Sequence, residues 1–226
     1  MSRTTDSARR TGFASFGSNR VLGLSDAVIA IILTLMAVEL LQLKVSEGEE
    51  TLAARLLVEW PAYLAYTVSF FIIAQIWVSH RAMWSVIERA DEVTILLNLV
   101  LLFFTSAIPF ATKVLAETIG HANEMGGASA EVLAAGLYAA FIIGEALAFL
   151  STWHWARTHG QLVDDLSDEQ VQTTSRRFLL GPLLYLGAFA LSFVGLLWSL
   201  AAFFALTLFY LRPGGGDTPR STGHGG

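Results

Sequence analysis

The 226-residue chain contains no cysteine, which excludes disulfides, thiolate nucleophiles and cysteine-based metal sites and leaves the redox compartment open. It is also poor in charge. Only 15% of its residues are Asp, Glu, Lys or Arg, against about 25% in soluble domains. The basic residues are scattered and form no polybasic run, so the net charge of -5 carries no footprint of a nucleic-acid partner. No H-E-x-x-H or G-x-S-x-G arrangement accompanies His80, His154 and His159, so the converging groups of an intramembrane enzyme are missing. His154, between Trp153 and Trp155, reads instead as part of an interfacial aromatic belt. No small-x-small cleavage site follows the first apolar stretch, Ala27 to Leu43. That stretch is longer than a signal-peptide core and reads as a retained span.

What the chain has is apolar surface. It is 54% hydrophobic with a mean hydropathy of +0.57, the composition of an integral membrane protein. The fold class that follows is all-α, because helices satisfy their own backbone groups in lipid. Six transmembrane helices are expected, near 21–43, 58–80, 93–115, 131–155, 177–194 and 196–211. The last two rest on the uncharged run from Phe178 to Leu211, too long for one span of roughly 20 residues and enough for a tight pair. Arg176 and Arg177 precede that run and Arg212 follows it, which favours a hairpin returning to one side, with its turn near Gly195 to Ser199.

The distribution of Lys and Arg orients these spans. With the N-terminus inside, Lys44, Arg55 and Lys113 are the outer members of the 14, and the other eleven are inner. This positive-inside bias puts both termini in the cytoplasm of a multi-pass protein of the cell membrane. Residues 1–18 and 213–226 lack apolar periodicity and read as disordered cytoplasmic ends, leaving 19–212 as one six-helix membrane domain. Glu47, Glu49, Glu50, Glu117 and Glu124 fall on the outer side, where they either raise local cation concentration or are merely solvated.

The first span holds the chemistry. Within Arg20 to Glu39 no charge lies between Asp26 and Glu39, and an Asp in a spanning helix costs ~2.5–3.5 kcal/mol at the bilayer centre, so a partner and a role are expected. At roughly 100° per residue, Leu24, Ala27, Ile31, Thr34, Leu35, Val38 and Gln42 share one stripe, while Asp26 points to the opposite side. Arg20 is six residues from Asp26, a spacing that places no direct pair within the helix. The second helix brings Trp77 and His80 to the same depth on one face, and both can donate hydrogen bonds. A cluster of Arg20, Ser25, Asp26, Trp77 and His80 therefore satisfies the carboxylate, either as a polar clasp between helices or as a proton-sensing or ion-binding group. Thr34 has two options: its hydroxyl faces outward or bonds back to the carbonyl of Ala30.

Glu145, in the middle of the fourth span, is a second functional candidate by position. It reads either as a relay with Asp26 and His80 in a proton-coupled secondary transporter, or as an acid that stays protonated or pairs with a polar group such as Gln75. Transporters often carry inverted repeats and broken helices. This chain shows no repeat of its first-helix motif, and its first helix has no Gly or Pro after Gly23.

The pattern Arg20-x-x-x-Leu24-Ser25-Asp26, followed by an Ile/Leu/Thr-rich helix, resembles the R-x-x-x-F-S-D signature of the potassium-channel family of transmembrane protein 175, in its bacterial branch. Six spans, cytoplasmic termini and a Trp-x-x-His ending the second helix, here Trp77 to His80, are similar too; Leu24 stands where the family usually has Phe. The resemblance implies a homotetramer in the lipid bilayer, with four first helices around a central pore. It implies potassium and other monovalent cations as permeant species, no cofactor or metal centre, and no TVGYG-type carbonyl filter. Ile31, Leu35 and Val38 would form narrow apolar rings, with Thr34 the hydroxyl near the selective layer.

Overall fold

The computed structural model describes residues 18–41 and 51–211. Seven α-helices account for most of them: α1 (Ser18–Leu41), α2 (Leu52–Val58), α3 (Trp60–Trp84), α4 (Glu92–Met125), α5 (Ala128–Thr158), α6 (Asp168–Ala190) and α7 (Leu196–Leu211), with a 3-10 turn at Leu191–Phe193. Four of these, over Arg20–Val38, Trp60–Trp84, Glu92–Ala122 and Ala128–Thr158, are long and apolar enough to cross a membrane. The expected ends at 1–18 and 213–226 lie outside the described residues, except Ser18, which opens α1. Gln42, Lys44, Glu47, Glu49 and Glu50 also lie outside them.

α4 and α5 form the spine and share the most extensive contact in the chain. They are joined by Gly126 and Gly127, whose φ of 112° and 62° fall in the left-handed region that a side chain disfavours. At 31 residues α5 runs about 45 Å, and α4, 34 residues kinked at the non-helical backbone of His121, is likewise longer than the ~30 Å hydrocarbon core, which is why both outlast the expected spans. Gly144 lets them meet, since a Cβ there would lie 2.4 Å from the Phe104 ring. α1 packs on α3 and α4, while α6 and α7 close against α5 and α3.

The last helices differ from expectation. Nine of the first ten residues of α6, DEQVQTTSRR, are polar, and α7 has only 16 residues. The break between them begins at Leu191 rather than near Gly195 to Ser199, because the carbonyl of Leu191 accepts from both Val194 and Gly195. Ser199 lies inside α7, where its hydroxyl donates to the carbonyl of Ala188 at 2.8 Å and pins the hairpin. The short helix α2 was not foreseen.

One knot fixes the loop ends of α3, α4, α5 and α6. Ile87 and Leu162 form an isolated antiparallel bridge, and Glu88 N–H donates to the Gln161 carbonyl at 2.9 Å. Asp91 caps α4 through Thr94 N–H at 2.8 Å and accepts from Trp155 Nε1 at 3.2 and 3.0 Å. Partial desolvation pushes the Asp91 carboxyl up, but hydrogen bonds from Thr94, Trp155 and Gln161 outweigh it and hold the group down at about 2. A folded value below the unfolded one means stabilisation that is complete above the usual carboxylate range and fades as pH falls through about 2. Replacing Asp91 by Ala is expected to lower stability by ~0.5–2 kcal/mol through loss of the cap. Thermal melts at neutral pH check this, and the wild-type advantage should shrink on acidification.

Candidate functional site

One side of α1 is buried in the bundle and the other is not. Val21, Ser25, Ile29, Ile32 and Met36 are buried, a 3–4 spacing that seats one face against α3 and α4. Ile31, Leu35 and Val38 are 58%, 51% and 45% exposed, and Leu24, Ala27 and Thr34 are exposed with them. The described part of the stripe read from periodicity, Leu24 to Val38, is therefore the face that the chain leaves uncovered. Thr34 donates its hydroxyl hydrogen to the carbonyl of Ile31 at 2.7 Å, one residue along from the expected Ala30. With its hydrogen so used, the Thr34 oxygen keeps lone pairs for the exposed side.

Asp26 uses both carboxylate oxygens. Oδ1 accepts from Trp77 Nε1 at 2.9 Å, and Oδ2 forms an ion pair with Arg81 Nη1 at 3.1 Å. The Arg81 guanidinium also lies 5.5 Å from the Trp77 ring centre, a cation–π distance. Trp77 and Arg81 are four apart on α3, so one helical face presents both to α1.

Ser25 and His80 belong to a second, fully buried chain of bonds. Ser25 donates to the carbonyl of Val21 at 3.0 Å and accepts from Asn98 Nδ2 at 3.0 Å. Asn98 Oδ1 meets His80 Nε2 at 2.8 Å. That geometry puts the His80 proton on Nε2; a second one on Nδ1, which is buried without a partner, would have no acceptor. Thus α1, α4 and α3 are joined through Ser25, Asn98 and His80, and α1 and α3 again through Asp26, Trp77 and Arg81.

Of the five residues predicted as one cluster, Ser25 and His80 fall in one set and Asp26 and Trp77 in the other. Asp26 bonds Trp77, whereas His80 turns to Asn98, and Arg20 is exposed on the first turn of α1. Sequence reasoning missed Arg81 and Asn98. Both left signals: Arg81 sits one turn beyond Trp77, and Asn98 is a lone amide in the apolar run TILLNLVLLFF. Glu145 lies elsewhere, among α3, α5, α6 and α7, and Gln75, its suggested partner, bonds Ser79 and Tyr185 instead. Glu145, Asp26 and His80 therefore occupy three separate bonding environments. No group of three or more His, Asp or Glu converges among the described residues in a way that would hold a metal.

Residues 20–109 match the family model described as endosomal/lysosomal potassium channel TMEM175, a stretch that contains both bonded sets. A protein of Streptomyces collinus named as a potassium channel is 36% identical over 195 residues, which cover 85% of this chain and 91% of that one. The chain belongs to the TMEM175 family. A second TMEM175 relative, a potassium channel of Chamaesiphon minutus, is 33% identical over 198 residues, 85% of this chain and 93% of that one. The crystal structure of a lysosomal potassium-selective channel TMEM175 homolog from Chamaesiphon minutus superposes with a TM-score of 0.70 at 31% identity, covering 85% of this chain and 95% of that one. The TMEM175 helices of the present chain are those of a multi-pass membrane protein.

Proposed function

We propose that the chain is one subunit of a potassium-preferring cation channel, a homotetramer in which four α1 helices line a central pore. The observation that carries this reading is the uncovered apolar stripe of α1 in a chain whose relatives over 85% of its length are named potassium channels. One α1 cannot enclose a bore, and a closed symmetric ring gives the stripe an equivalent surroundings in every copy. Ile31, Leu35 and Val38 then stack as three apolar rings. Such a neck holds water poorly and gates by dewetting, and its diameter discriminates among partly hydrated ions. Asp26 lies off the axis, holding α1 against α3. The protein is not an enzyme, and it has potassium as its permeant species and no cofactor.

In this reading α6 and α7 complete six crossings per chain. The 16 residues of α7 span only about 24 Å, so the bilayer thins beside this hairpin. The eleven inner Arg, against Lys44, Arg55 and Lys113 outside, support cytoplasmic termini in a cell-membrane protein.

Two measurements test the proposal. Native mass spectrometry should show a tetramer as the main species; a monomer or dimer would contradict the assembly. Purified protein in planar bilayers should give stepwise unitary currents that favour potassium over sodium, whereas slow saturable flux would make it a carrier. Thr34→Val keeps the shape and removes the oxygen on the exposed side. A net hydrogen-bond-sized contribution of ~0.5–1.5 kcal/mol predicts a several-fold fall in potassium preference, read from reversal potentials. An unchanged ratio would leave discrimination to the apolar rings alone.

A further inference from the structure

Glu145 is only 3% exposed, and its Oε1 has no hydrogen-bond partner. It takes part in neither ion pair found among the described residues. The carboxyl borders a partly open cavity of about 30 Å³ between α3, α5, α6 and α7, lined also by Gln75, Ser79, Arg177, Tyr185 and Tyr210.

The groups on that wall are engaged with one another. Gln75 Nε2 donates to Ser79 Oγ at 3.0 Å, and Gln75 Oε1 accepts from the Tyr185 hydroxyl at 3.1 Å. Arg177 is the only cation that the described residues bring to the wall. It donates to the carbonyl of Tyr210, lies 5.2 Å from the Tyr210 ring centre, and receives the Tyr210 hydroxyl on its own carbonyl at 3.1 Å. This reciprocal clasp ties α6 to α7, and Arg177 forms no ion pair with Glu145. α3 contributes only the neutral Gln75 and Ser79, α6 adds Tyr185 to Arg177, and α7 adds Tyr210. A carboxylate at this buried position, with one oxygen unbonded and no ion pair among the described residues, is a far costlier state than the neutral acid.

The cavity has the size and lining for water. A water needs about 10–15 Å³ of such space and two to four polar partners, so this volume suits one or two molecules. Ser79 Oγ, Gln75 Oε1 and Tyr185 Oη keep lone pairs for them. We propose that Glu145 is a proton-binding site inside each subunit, its neutral carboxyl linked through one or two cavity waters to Gln75, Ser79 and Tyr185. The site lies outside the matched residues 20–109 and off the exposed stripe of α1.

Infrared difference spectroscopy on the full-length protein in liposomes tests this without any ion flux, so its outcome is independent of the channel reading. Wild type minus Glu145→Gln should show the carbonyl stretch of one protonated carboxylic acid, and that band should shift promptly on transfer to D2O as the cavity water exchanges. Absence of the band from the difference spectrum would mean an ionised Glu145 and overturn the proposal. A band that stays unmoved in D2O would overturn it too, by showing a dry cavity. Should Glu145→Gln fail to fold, Tyr185→Phe removes one wall hydroxyl and leaves the acid in place. The D2O-sensitive acid band should then persist at a shifted frequency, and an unchanged frequency would refute the water link.

Discussion

Asparagine at Ile31 or Leu35 is expected to raise unitary conductance several-fold and to weaken discrimination between potassium and sodium. These side chains are more than half exposed on α1 and recur at the spacing that stacks them along one helix face. In a fourfold ring each substitution places four amides where four apolar groups had repelled water. The neck then stays wet, and an ion crossing it keeps more of its hydration shell. Ile29 and Leu33 supply the contrast. Ile29 is 1% exposed and Leu33 packs against the core, so asparagine there should cut protein yield and thermal stability, because a buried amide without partners costs several kcal/mol in an apolar setting. Planar-bilayer recording of the four variants separates the two faces. Unchanged currents in both Ile31→Asn and Leu35→Asn would sink the hydrophobic-constriction model.

Periodicity made the α1 stripe legible, since a 3.6-residue repeat assigns faces without knowledge of neighbours. Partner choice was less legible. Depth along the membrane normal brought Trp77, His80 and Asp26 to one level, but depth is a single coordinate. Rotation about α3 decides that Trp77 and Arg81 turn to α1 while His80 turns inward to Asn98. The same limit applies to Glu145 and Gln75. They line one cavity, yet Gln75 is spent on Ser79 and Tyr185, and Tyr185 is 110 residues away from it in sequence. In the final hairpin the absence of charge revealed two helices, whereas the break was set by the Leu191 carbonyl accepting from Val194 and Gly195 and pinned by Ser199 reaching back to Ala188, contacts the hydropathy pattern does not encode.

Asp26→Ala is expected to weaken assembly of the protein before it touches ion preference. A fully buried pair costs ~3–5 kcal/mol when one partner is removed. Here the side chains of Asp26 and Arg81 are 32% and 51% exposed in the subunit, which moves the ion pair toward the ~0.2–1 kcal/mol of solvated pairs. The Trp77 bond adds to this, because hydrogen bonds to charged groups contribute ~1.5–3 kcal/mol. A loss of about 2–4 kcal/mol per chain follows, and in the proposed tetramer it recurs in each of four copies, since there α1 is both the helix held by Asp26 and the helix that builds the ring. Asp26→Asn separates the parts: its amide oxygen still accepts from Trp77 while the attraction to Arg81 is gone, so it should fall between wild type and Asp26→Ala. The tetramer fraction by native mass spectrometry and the melting temperature of the purified protein measure the order. Reversal potentials of the channels that do assemble should match wild type, because the carboxylate faces α3 and not the exposed stripe. A stable Asp26→Ala tetramer with altered potassium preference would instead put this carboxylate in the ion path.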